Sequence, residues 1–187
     1  MVNKYIMKKI LFLSLTALIL GCTPVKHTLA ETKTNEMTSK FSINSYCPIE
    51  GSCKVDRIPN VSLSVASVED GNRGEVFYEL LPSENTDVVI YTYKKHTDDV
   101  LMDGFYREEI VFEVPKERQR LMLEHINLQD VKMIFGRFCY CKGETGYYKV
   151  KRGTADIKYS QKQIKASINV NVLEVPQVTN KVSFTVD

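Results

Sequence analysis

The chain of 187 residues is poor in the residues and motifs that build common enzyme sites. It has only three histidines, and neither H-E-x-x-H nor a related zinc-binding spacing is present. The G-x-S-x-G elbow of serine hydrolases, the Walker loop and a strand-flanked G-x-G-x-x-G are also missing. We therefore expect no catalytic residues, no metal site and no cofactor, although a hydrolase with a dispersed site stays compatible with the sequence.

The apolar run near the amino terminus is too short to cross a membrane, which takes about 20 residues. It covers Ile10–Leu20, follows Lys8 and Lys9, and is followed by Gly21 and a cysteine. This order of basic residues, short apolar core and small residue is typical of a signal peptide that is removed after export. The alternatives are an uncleaved anchor and an ordinary buried helix.

Residues 19–22, Ile-Leu-Gly-Cys, resemble the lipobox of bacterial lipoprotein precursors. The resemblance implies cleavage after Gly21, attachment of fatty acids such as palmitate at Cys22, and anchoring by two or more acyl chains. Leu20 departs from the small or hydroxylated residue that the family prefers there. Thr23, rather than an aspartate, follows the cysteine, which in this family implies the outer membrane. We expect the domain to face the periplasm, with exposure at the cell surface left open.

These features divide the chain into a signal peptide (1–21), a lipidated flexible tether (22–46) and one folded domain (47–187). Residues 23–46 are rich in Thr, Ser, Asn, Lys and Glu and have no apolar period. About 20 such residues reach roughly 25 Å as a random coil. Cleavage would leave 22 basic against 23 acidic residues, a net charge near −1, which argues against a nucleic-acid partner.

From Cys47 onward, apolar and polar residues alternate with a period of two. The alternation is clearest in residues 164–172 and 182–186. In a third strand, one face carries Tyr106, Ile110, Phe112 and Val114, and the opposite, polar face carries Arg107, Glu109 and Glu113. Further predicted strands cover residues 61–68, 75–80, 87–95, 131–141, 147–151 and 154–159. Short strands separated by turn residues predict an all-β domain: an antiparallel β-sandwich, Ig-like or Greek-key, or a small barrel.

Residues 116–125, KERQRLMLEH, fit two structures. They are good helix formers and follow a proline, which suits a first helical turn. The same window alternates as Leu121, Leu123 and His125, which suits a strand. We expect a short helix or turn here.

Four cysteines follow the lipobox: Cys47, Cys53, Cys139 and Cys141. An even number in an exported domain indicates disulfides. Within a strand, the Cα atoms of Cys139 and Cys141 would lie about 6.5–7 Å apart, at or beyond the limit for a bridge. We therefore expect each to pair with Cys47 or Cys53, in either of the two crossed arrangements. A tetrathiolate zinc site and a redox-active Cys139–Cys141 pair are the alternatives.

Tyrosines provide the candidate binding surface. If Val88 faces inward, Tyr91 and Tyr93 face outward on the same strand, while Tyr147 and Tyr148 follow a glycine-rich turn. Exposed tyrosines beside basic residues suit a protein, peptide or glycan ligand. The alternative is cross-strand packing that only stabilises the sheet. Residues 137–148 are similar to a segment of small uncharacterised lipoproteins of the Bacteroidota type, a resemblance that implies no activity.

The sequence as a whole predicts a lipid-anchored protein of the cell envelope that acts as a non-enzymatic binding or scaffolding module. The expected partners are the membrane, through the anchor, and an envelope protein, peptide or glycan. The alternative function is thiol–disulfide or metal handling through Cys139 and Cys141.

Overall fold

The computed structural model describes residues 40–70, 73–97 and 103–187. The predicted signal peptide, the predicted lipidation site Cys22 and the predicted tether up to residue 39 lie outside these ranges. Within the described ranges, no helix has both the length and the apolar character needed to cross a membrane.

The described part of the chain contains twelve strands and one short 3-10 helix, His125–Val131. The strands are β1 Phe41–Ile43, β2 Gly51–Ile58, β3 Val61–Asp70, β4 Arg73–Pro82, β5 Thr86–Lys95, β6 Tyr106–Pro115, β7 Arg120–Glu124, β8 Ile134–Cys139, β9 Gly146–Lys149, β10 Gly153–Tyr159, β11 Ile164–Val170 and β12 Lys181–Val186. They form a five-stranded sheet, β1-β12-β11-β10-β7, and a seven-stranded sheet, β2-β5-β6-β8-β9-β4-β3. All pairings are antiparallel, and the predicted all-β sandwich is confirmed.

The main core lies between the two sheets. Strand β11 buries every second residue, as its alternation predicts, and β12 buries Val182, Phe184 and Val186 in the same way. The Phe184 ring stacks on Tyr91 of the facing sheet, with the ring centroids 6.2 Å apart. Aromatic and aliphatic side chains from both sheets therefore close one continuous core.

A second, smaller core lies on the outer face of the seven-stranded sheet. In the part of the chain that the structure describes, the β3–β4 hairpin pairs with the rest of the sheet only at Val76↔Tyr147, between β4 and β9. Leu63 of β3 is fully buried in a cluster with Val88, Val111 and Ile134, which come from β5, β6 and β8. The hairpin therefore covers part of the outer face, and these strands are buried on both sides.

Two boundaries differ from those predicted. Residues 120–124 form strand β7, so the expected helix or turn was wrong for them. The reason is packing: Leu121 and Leu123 are buried against the main core, while β7 pairs with β10. At the other boundary, residues 41–43 pair with β12, so ordered structure begins before the predicted start of the domain at Cys47.

Replacing Phe184 with alanine should lower the free energy of unfolding by about 3–5 kcal/mol, because the substitution leaves a cavity beneath Tyr91. Urea unfolding followed by circular dichroism measures the change. Leu173→Ala is the control, since that side chain is 63% exposed and its truncation should cost less than about 0.5 kcal/mol. Equal losses for the two variants would contradict the assigned core.

Candidate functional site

Buried carboxylates are the most unusual feature of the larger sheet. Asp87 and Glu108 are completely buried, and Glu109 and Glu113 are nearly so. The sequence places Glu109 and Glu113 on the polar face of β6, which was expected to face solvent. That expectation was wrong, because the β3–β4 hairpin covers this face. Buried charges are expensive unless they are paired or hydrogen-bonded, so the partners of each group matter.

Asp87 fixes the turn that leads into β3. Its Oδ1 accepts the backbone N–H of Asn60 at 3.0 Å and lies 3.1 Å from Lys116 Nζ, while its Oδ2 lies 2.7 Å from Arg57 Nη2. Burial alone would raise the pKa of the Asp87 carboxyl, but the hydrogen bonds from Asn60, Arg57 and Lys116 outweigh it and lower the pKa. The ionised carboxylate therefore holds the start of the hairpin.

Two glutamates of β6 hold the rest of the hairpin and its neighbours. Glu113 Oε2 accepts the Leu63 backbone N–H at 3.0 Å and the Lys132 Nζ at 2.9 Å. Glu109 Oε2 accepts the hydroxyl of Tyr147 at 2.7 Å. Burial and the adjacent Glu109 both raise the pKa of the Tyr147 hydroxyl, which therefore stays protonated and donates. The β3–β4 hairpin, which forms the outer layer of the domain, is thus attached to the seven-stranded sheet mainly by side chains.

Glu108 also accepts backbone N–H groups, but on the opposite face of β6, which meets the five-stranded sheet. Its two carboxylate oxygens accept the backbone N–H groups of Val178 and Thr179, at 2.7 and 2.6 Å. Tyr106 also donates its hydroxyl to Glu108, and burial together with this bond raises the pKa of Tyr106 to about 12. The segment between β11 and β12 is therefore held against the larger sheet.

An open groove of about 420 Å³ lies beside β3 and is called the β3 groove here. Its lining residues are Ser62, Leu63, Ser64, Val65, Leu81, Gln129, Lys132 and Lys149. Lys132 is paired with Glu113, whereas Lys149 contacts the hydroxyl of Ser67 at 3.4 Å and has no carboxylate partner among the described residues. As far as the described ranges go, the groove therefore combines serine hydroxyls, apolar side chains and one ammonium, that of Lys149, without a carboxylate partner.

Sequence reasoning missed this groove. Lys132 follows the 3-10 helix in a left-handed conformation, with φ 52°, and Lys149 ends β9. They are brought to one place because Ile134 of β8 pairs with Lys149. The predicted strands 131–141 and 147–151, read as a hairpin, would have placed these lysines on neighbouring strands.

The predicted tyrosine platform is not present as expected. Tyr91 and Tyr93 are each only 1% exposed and belong to the main core, so their predicted outward orientation was wrong. The cause is the second core. Val88 was expected to face the core between the sheets, but it faces the β3–β4 hairpin. Tyr91 and Tyr93, which lie on the opposite face of β5, therefore face the other sheet.

Tyr147 and Tyr148 are half-buried and point to opposite sides of β9. The Tyr147 ring makes edge contacts with Tyr78 and Phe138, each with centroids 5.1 Å apart, while Tyr148 packs at the margin of the main core. The four predicted tyrosines therefore do not share one exposed surface, and their visible contacts are those of cross-strand packing.

The cysteines pair locally. The Sγ atoms of Cys47 and Cys53 lie 2.01 Å apart, and those of Cys139 and Cys141 lie 1.94 Å apart, both at disulfide distance. The expected crossed pairings were therefore wrong. Strand β8 ends at Cys139, and the bend at Tyr140 brings the Cα atoms of Cys139 and Cys141 to 5.1 Å, closer than a strand would allow.

Trypsin mapping without reduction tests this connectivity. Cleavage after lysine and arginine should place Cys47 and Cys53 together in peptide 41–54, and Cys139 and Cys141 together in peptide 138–142. Each peptide should be 2 Da lighter than its reduced form. A species that joins the two peptides would restore the crossed pairing.

The double variant Cys47→Ala/Cys53→Ala should lose only about 2 kcal/mol of stability, because the loop that it opens is short.

Asp87→Asn should lower the free energy of unfolding at pH 7 by about 3 kcal/mol, because Arg57 and Lys116 lose their buried counter-charge. The folded-state pKa of Asp87 lies below the unfolded value, so its stabilisation is present above about pH 4 and is lost as the pH falls through the folded pKa. Urea unfolding from pH 2 to pH 7 should therefore show the two proteins converging in acid.

Asp156→Asn is the matched control, since Asp156 also pairs with an arginine, Arg120, but at the surface. It should change stability much less at every pH. A constant difference between the wild type and Asp87→Asn across the pH range would contradict the role given to Asp87.

Among the described residues, no group of three or more His, Cys, Asp and Glu side chains is arranged to hold a metal ion. No protein family matches the chain, and no curated protein or solved structure matches it either. The candidate site is therefore defined by its geometry alone.

Proposed function

We propose that this chain is a lipid-anchored, non-enzymatic binding module of the bacterial cell envelope. In this proposal Cys22 attaches it to the outer membrane on the periplasmic side, and the β3 groove binds an envelope partner. The observation that carries the proposal is the groove itself, an open surface whose two walls are fixed by one buried carboxylate.

Glu113 is the group that connects the two walls. It binds the Leu63 N–H on β3 and the Lys132 ammonium on the opposite side, at 3.0 and 2.9 Å. The walls are therefore positioned before any ligand arrives. A surface that is ordered in advance loses less conformational entropy on binding, which favours a role in recognition.

Thiol–disulfide exchange through Cys139 and Cys141 is the second candidate, favoured by their closeness at the end of β8. Only Tyr140 separates them, and that residue is 86% exposed. It ranks second because reactive pairs usually begin a helix, whose positive end stabilises the thiolate, whereas this pair ends a strand. The trypsin mapping bears on it as well, because a working redox pair would be recovered partly reduced.

A photo-crosslinking residue at Ser64, inside the groove, should capture a discrete envelope protein in living cells. The same residue at Lys165, exposed on β11 of the other sheet, is the control and should not capture it. Labelling with a palmitate analogue should mark the wild type and should be lost in Cys22→Ser, which should also lose the crosslink because the domain is no longer held at the membrane.

Label that persists in Cys22→Ser would contradict the anchor. Equal crosslinking from Ser64 and Lys165 would contradict the assignment of the groove as the binding surface.

A further inference from the structure

Among the described residues, strand β3 is the last strand of the larger sheet and pairs on one side only, with β4. Its backbone groups show which residues face the unpaired side. The Val61 C=O accepts the Thr86 hydroxyl at 2.8 Å, and the Leu63 N–H donates to Glu113 at 3.0 Å. Both bonds point away from β4. In an antiparallel pair, backbone groups alternate between the two sides, so Val65 and Ser67 also face away.

The backbone groups of Val65 face the β3 groove. Val65 and Leu63 both line it. Because of this alternation the N–H and C=O of Val65 do not bond to β4, and within the described ranges they make no hydrogen bond to any other element. From Leu63 to Ser67 the edge is about 14 Å long at 3.4 Å per residue. Donors and acceptors at strand spacing are what a further strand requires.

The composition of this edge sets it apart from the other sheet edges in the described ranges. Strand β1 has three residues, β7 carries Arg120 and Glu124, and β2 carries Lys54, Asp56 and Arg57. Short or charged strands are the usual protection against unwanted strand pairing. Residues 61–67 of β3, VSLSVAS, have neither a charge nor a proline, and the charged residues of the strand, Glu69 and Asp70, lie at its far end. The part of this edge that follows the bonded Leu63 N–H and runs to Ser67 is therefore without charges.

The charge beside the edge indicates the kind of strand that fits. Lys149 has no carboxylate partner among the described residues, and Lys132 shares only the single carboxylate of Glu113. Both lysines line the groove together with Ser62 and Ser64. An added strand with a carboxylate side chain would complement Lys149, whereas one with a lysine would be repelled.

We infer that the β3 groove binds an extended acidic peptide segment, which adds as a further strand along Leu63–Ser67 with its carboxylate at Lys149. This inference rests on the proposed function and names its ligand class. Affinity comes from main-chain hydrogen bonds to Val65 and its neighbours, and selectivity comes from the lysine.

The test uses the full chain and three blocked heptapeptides: alternating Val and Glu, alternating Val and Lys, and the acidic peptide with a central proline. Amide NMR titration measures affinity, and hydrogen exchange measures protection at Val65 and Ser67. The acidic peptide should bind at least tenfold more tightly than the other two and should slow exchange at both amides. Equal binding of the basic peptide, no binding, or no protection of Val65 would overturn the inference.

Val65→Pro removes the edge N–H, which does not bond to β4, and should weaken binding of the acidic peptide about tenfold. Val65→Ala is the matched control, since it shortens the side chain but keeps the N–H, and it should bind within about threefold of the wild type. Lys149→Glu gives a test that leaves β3 unchanged, and it should reverse the preference between the acidic and basic peptides. Unaltered affinity in both Val65→Pro and Lys149→Glu would overturn the inference.

Light scattering identifies the competing occupant, a second copy of the chain. A dimer that Val65→Pro dissociates would overturn the peptide assignment. Failure of this inference can be told apart from failure of the proposed function. A crosslink from Ser64 in cells, without binding of the acidic peptide, would refute strand addition alone. Peptide binding without acylation or a captured partner would refute the envelope role alone.

Discussion

The outer layer of this protein depends on carboxylates that are buried and bonded to backbone N–H groups. Asp87 binds the turn before β3, and Glu113 binds β3 itself. An isolated buried charge would be strongly destabilising. The two carboxylates therefore need the N–H groups of the hairpin as partners, and the hairpin in turn is held in place by the carboxylates. The same arrangement on the inner side, at Glu108, fixes the segment after β11. Strands β5 and β6 thus act as the central support of both layers.

Local alternation was sufficient to predict the strands and the fold class, because most strands bury one face only. Strand β11 is the clearest case, with every second residue buried. The prediction failed where a strand is covered on both sides. Alternation in β5 cannot distinguish a face that meets the other sheet from one that meets a hairpin, so Tyr91 was placed outside. Likewise, Glu109 and Glu113 were assigned to the correct face but to the wrong environment.

The candidate site was beyond local sequence reasoning for a related reason. Its lysines come from the ends of two elements, and its serines from a strand that is distant in the chain; only tertiary packing brings them together. The disulfides show the same limit at short range. The separation of Cys139 and Cys141 depends on whether β8 continues through Tyr140, and a shift of one or two residues at a strand end decided it.

The attachment of the β3–β4 hairpin has a consequence for motion. Within residues 40–70, 73–97 and 103–187, a single backbone pair, Val76↔Tyr147, joins it to the remaining sheet, while side chains provide the other bonds. Opening such a unit costs less than unfolding the whole domain, since the main core between the sheets is left intact. We therefore expect the hairpin to open as one cooperative unit, faster than the whole domain unfolds. The opening would expose Val111 and Ile134 transiently while the two sheets of the sandwich stay packed together.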